Sequence, residues 1–221
     1  MTRRSIIIST AAAAVAVFAL AAVLYDRQTT QPSNPDAALE SNHLVRPHSP
    51  VIGPAKAPVT IVEFFDPSCE TCRAFYPIVK QIMAKHSGDV RLVLRYAPFH
   101  EGSDEAVKIL ESARMQNLFE PVLEALLATQ PTWAIHGAPN LNRAWEAAKA
   151  AGLDVERAHL DAAKPEHDEV LRLDIADIKA VKLNRTPKFF VNGKPLPEFG
   201  RDELAALVQT EVDAARKAAL D

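Results

Sequence analysis

Val59-Thr60-Ile61-Val62-Glu63-Phe64-Phe65, then Asp66-Pro67-Ser68, then Cys69-Glu70-Thr71-Cys72, is the run that decides the fold. Its first seven residues are β-branched and aromatic apart from Glu63, and they are bounded by Pro58 and Pro67, the pattern of a buried central strand. A helix follows at once, from about Cys69 to Lys85: Phe75, Ile78, Val79 and Ile82 recur at helical spacing, and Pro77 predicts a kink. The cysteines therefore sit where a strand hands over to a helix N-terminus. Unpaired N–H groups and the positive end of the macrodipole stabilise a thiolate there, so Cys69 is the expected nucleophile. Cys72, one turn inward, is placed to attack a mixed disulfide formed on Cys69.

Other readings of the pair have different requirements. A structural disulfide across two residues would restrict the unfolded chain little. A structural zinc site needs a second ligand pair, and the chain has only two cysteines. A Cu(I) site built from two thiolates stays open, because the seven histidines include His100 and His136.

Further along, Asp89 to Ala97 reads as a second strand. From Asp104 to about Lys182 the pattern is helical, with breaks near Pro131, Pro139, Gly152 and Pro165, which predicts four or five helices. Leu118, Phe119, Leu123, Leu126, Leu127 and Trp133 are taken as core. Lys188 to Val191, a turn at Asn192-Gly193 and a stretch through Leu196 predict a hairpin, and a last helix spans about Arg201 to Ala219.

Towards the N-terminus, Arg3 and Arg4 precede an uncharged run from Ser5 to Tyr25. It is an export segment, and it matches the ~20 residues of a membrane-spanning helix more closely than a short signal core. Ala19-Leu20-Ala21 fits a cleavage pattern, so residues 1–25 are a signal sequence or a membrane anchor, with the anchor favoured. The flanking charges place the remainder outside the cytoplasm, in an oxidising compartment. Residues 26–58 are rich in Pro, Ser, Asn and Gln and read as a flexible tether with a short ordered end. That tether suits a dimer stalk or a simple leash alike.

The balance of 48% apolar and 24% charged residues fits one globular domain over 59–221. A net charge of −3, with basic residues scattered among acidic ones, gives no footprint for nucleic acid.

The strand, the Cys-x-x-Cys helix start, the helical block and Thr186-Pro187 together resemble the DsbA-like branch of the thioredoxin superfamily, from about Val59 to the C-terminus. The resemblance implies an α/β, thioredoxin-like fold with a helical domain inserted over about 104–182. It implies that Pro187 is cis and faces the cysteines, with Thr186 offering backbone groups to a bound substrate segment. Glu63 matches the family's buried carboxylate beneath the resolving cysteine, and such a group can take the proton from Cys72. The family's strongest oxidases carry a histidine between the cysteines. Glu70 stands here instead, and a carboxylate near Cys69 is expected to weaken its thiolate and make a milder oxidant.

The expected activity is thiol–disulfide exchange on cysteines of envelope proteins, by oxidation, isomerisation or reduction, with no metal and no cofactor beyond the Cys69–Cys72 disulfide. By resemblance, a membrane redox protein would recharge the pair. The alternatives are an envelope copper-binding protein using the same thiols, or a thioredoxin-like holdase in which they are incidental.

Overall fold

The computed structural model describes residues 43–220. The apolar run and the first part of the tether lie outside the described residues, and among the described residues no helix is long and apolar enough to cross a membrane.

Five strands form one mixed sheet in the order β1-β3-β2-β4-β5, with β1 Val51–Ile52, β2 Val59–Phe65, β3 Val90–Tyr96, β4 Lys188–Val191 and β5 Lys194–Pro195. β2 lies at the centre, parallel to β3 and antiparallel to β4. Being covered on both faces, it carries apolar residues almost without interruption. Ile61 and Phe65 point into the larger core and Val62 and Phe64 into the smaller, so the two-residue period puts Glu63 on the larger-core face.

That face is covered by α1 Glu70–Lys85 and α7 Arg201–Ala218, and the larger core continues into the block between β3 and β4. The block holds five helices: α2 Ser103–Met115, α3 Phe119–Trp133, α4 Leu141–Ala150, α5 Val155–Ala162 and α6 Pro165–Ala180. Leu123, Leu126, Leu127 and Trp133 are buried in it, while Leu118 and Phe119 are partly buried. Pro131 lies inside the last turn of α3 rather than ending it. The break between α2 and α3 falls at Asn117, whose φ of 58° closes the helix as glycine would, while Leu118 N–H returns to the Ala113 carbonyl at 2.8 Å. The β4–β5 turn uses Asn192 and Gly193 at φ 48° and 80°, the left-handed pair a tight hairpin requires.

The smaller core is closed by Leu44 and by Ile178 of α6. Residues 43–58, the end of the stretch read as tether, supply β1 and are tied down by charge. Arg95, fully buried on β3, binds Asp174 at 2.7 Å and Asp177 at 2.6 Å. Asp177 also accepts from Arg46 at 2.6 and 2.7 Å and contacts His43 Nδ1 at 2.5 Å, while His48 contacts Asp174 at 2.7 Å. A charge so deeply buried persists only when paired, and here two arginines share two carboxylates.

Candidate active site

The C-terminal end of β2 feeds a four-residue loop into α1, and Asp66 holds that loop. Its buried carboxylate accepts from Ser68 N–H at 2.9 Å and the Ser103 hydroxyl at 2.5 Å. It also accepts from the N–H groups of Phe99 and His100 at 2.8 and 3.1 Å and contacts His100 Nδ1 at 2.7 Å. Gln130 of α3 closes the roof, donating to the Pro67 and Cys69 carbonyls at 2.7 and 3.1 Å. Two loops and two helices thus fix the approach to α1.

Cys69 is the N-cap of α1, with extended φ/ψ of −77° and 121°. Its thiol is lowered to about 5, first by a hydrogen bond from the Cys72 thiol and then, against the cost of burial, by bonds that include the backbone N–H groups of Cys72 and Thr71. Cys72 is the opposite case. Burial first, then its hydrogen bond to Cys69 and the charge of Glu63, push its thiol far up. Both thiols are free, and Cys69 keeps 6% exposure where Cys72 has none.

Glu63 is fully buried, and among the described residues neither of its oxygens has a hydrogen-bond partner. Burial first, and the Cys69 charge second, raise its pKa well above the usual carboxylate range. On the other side, the Thr186 carbonyl lies 3.5 Å from Cys69 Sγ, and the Thr186-Pro187 bond is cis, immediately before β4. Cys69, Cys72, Glu63, Thr186 and Pro187 are therefore assembled around the N-terminus of α1.

The structure gives Glu70, expected to oppose the Cys69 thiolate, a partner of its own. Its carboxylate turns to His136, 2.8 Å from Nε2, and is itself held below the ordinary carboxylate range by backbone and His136 hydrogen bonds. It is spoken for by a neighbour from the loop after α3, and the Cys69 thiolate is strongly favoured with Glu70 beside it. Nor do His100 and His136 join the two thiols. Among the described residues, the cluster with metal-ligand spacing is Glu70, His100 and His136. Asp66 and Gln130 went unseen in the sequence because nothing local distinguishes them.

Comparison with known proteins agrees with this geometry. The family model described as thioredoxin matches residues 46–210. A thioredoxin-like oxidoreductase from Silicibacter pomeroyi DSS-3 is 31% identical, with 84% of this chain and 99% of that one covered at a TM-score of 0.66. The alpha-DsbA1 of Wolbachia pipientis shares the fold at 17% identity and a TM-score of 0.70, with 82% and 99% covered. Among curated proteins, a Na(+)/H(+) antiporter NhaA of Herminiimonas arsenicoxydans is 32% identical over 65% of this chain, which spans only 22% of that protein's length. Sequence, sheet order and helix-capping cysteine place this chain in the thioredoxin family.

Proposed function

We propose that the protein is a thiol–disulfide oxidoreductase acting on protein cysteines outside the cytoplasm. The carrying observation is the asymmetry of the pair: an activated thiol at a helix N-terminus backed by a buried, strongly disfavoured one. In the reducing direction, the Cys69 thiolate attacks one sulfur of a substrate disulfide, an S–S bond forms to Cys69, and the second substrate sulfur leaves as thiolate. Cys72 then gives its proton to Glu63 and attacks the Cys69 sulfur, so that the Cys69–Cys72 disulfide forms and the first substrate sulfur is released. The oxidising direction is the same path reversed.

The Thr186 carbonyl beside Cys69 supports a role for Thr186 and Pro187 in aligning an extended substrate segment. A membrane redox protein as recharging partner fits the basic-then-apolar segment over residues 3–25. The Cys69–Cys72 disulfide is the only redox group this reading needs.

The test is trapping. Full-length protein carrying Cys72→Ser should accumulate a mixed disulfide with a disulfide-containing polypeptide, the second substrate sulfur leaving as thiolate, and Cys69→Ser should not. Equal trapping by both variants, or none by either, would overturn the reading and leave metal binding or holdase action.

A further inference from the structure

Outside the thiol pair, one surface cluster has a chemistry the exchange reaction does not use. Glu70 leaves the first turn of α1, His100 stands on the loop after β3, and His136 on the loop after α3. One nitrogen of each ring and one carboxylate oxygen lie within 4.8 Å of one another. The two rings meet edge to face with centroids 5.5 Å apart. Beside them is a pocket of about 230 Å³, lined by both histidines, Phe99, Glu101 and Ile135 among others.

Two imidazoles and one carboxylate converging from three separate elements form the donor set of an open zinc site, in which water takes the remaining position. A second observation points the same way. The buried carboxylate of Asp66 holds Nδ1 of His100 at 2.7 Å, which leaves Nε2 as the nitrogen available to an ion. A carboxylate that orients a histidine from behind is the usual support of a metal-bound imidazole. The His136–Glu70 contact at 2.8 Å shows these two arms already reaching one point. Hard oxygen-seeking ions such as Mg²⁺ are a poor match for two nitrogens.

We infer that Glu70, His100 and His136 form a binding site for a divalent zinc-class transition ion at the rim of the active site. The thiols are not members of this set, so the site is distinct from a two-thiolate copper site. Glu70 directly follows Cys69 in the chain, so an ion held there lies close to the nucleophile. It would favour the thiolate electrostatically and restrict the approach of a substrate disulfide.

The experiment is a calorimetric titration of full-length protein with Zn²⁺ in the Cys69→Ser/Cys72→Ser background, which removes both thiols as ligands. One equivalent should bind, and adding His136→Ala should weaken binding at least tenfold. Glu70→Gln, also at an exposed position, should weaken it too. Circular dichroism of each variant confirms that the fold is kept. Absence of Zn²⁺ binding in the thiol-free protein would overturn the site, and so would binding that His136→Ala leaves unchanged. Because the titration contains no substrate and no thiols, its failure leaves the proposed exchange activity standing.

Discussion

Glu63 carries a cost in either charge state. Ionised, it is an unpaired charge under the sheet, and protonated it is a carboxyl with no partner. Its folded-state pKa is raised, so the folded protein keeps a proton that the unfolded chain releases. Stability therefore falls as pH climbs from the ordinary carboxylate value towards the folded one, and the cost is fully present above it. Glu63→Met is expected to stabilise the protein by about 1–3 kcal/mol at neutral pH, with a smaller gain below about pH 4. Urea denaturation at both pH values measures this. The same variant should resolve the mixed disulfide about 10²-fold more slowly, the contribution of a positioned proton acceptor. Glu63 was singled out by the resemblance, whereas Cys69 and Cys72 were legible in the sequence because their meaning is local, a strand handing over to a helix start. Asp66, Gln130 and the partner of Glu70 were not: their contacts reach 37, 63 and 66 residues along the chain, beyond any local period.

Among the elements, β3 and α6 are joined by the charge cluster around Arg95, which also secures the chain from His43 to His48. Burial raises the carboxyl of Asp177, but hydrogen bonds from Arg46, Arg95 and His43 outweigh it and leave a strongly depressed pKa. A depressed carboxylate adds stability above its unfolded value, and this is lost as pH falls through the folded one. Asp177→Ala should cost about 3–5 kcal/mol at pH 7, because it strands buried Arg95 with half its partners. Chemical denaturation at pH 7 and pH 3 should show the difference between variant and wild type narrowing in acid. Strands β2 and β3, α1, the hairpin and α7 were predictable from period and punctuation. β1 and the docking of residues 43–49 were not, since a two-residue strand has no period and a polar segment held by buried ions resembles a tether in composition. At Asn117 the helix stop was missed because it uses asparagine where glycine or proline was sought.

At the scale of the molecule, the order strand, helix, strand, helical block, hairpin and helix was readable, and β2, read as a central strand, lies at the centre of the sheet. Relatives of this stretch also occur within much longer chains, the curated antiporters it matches over 22% to 30% of their length. The central claim, that the helix-capping pair is a working redox couple, belongs to this scale because it draws on β2, α1, the roof and the Thr186 loop together. The Cys69 thiol at about 5 stands between the ~3.5 of a strong oxidase and the ~7 of a reducing thioredoxin. The corresponding potentials are about −120 and about −270 mV. The most direct measurement is equilibration of the full-length protein with glutathione redox buffers, followed by mass-tagging of free thiols. The account predicts a single two-electron transition of Cys69 and Cys72 between those two potentials. A pair that does not equilibrate would contradict it, whereas one as reducing as about −270 mV would assign the pair the reducing direction.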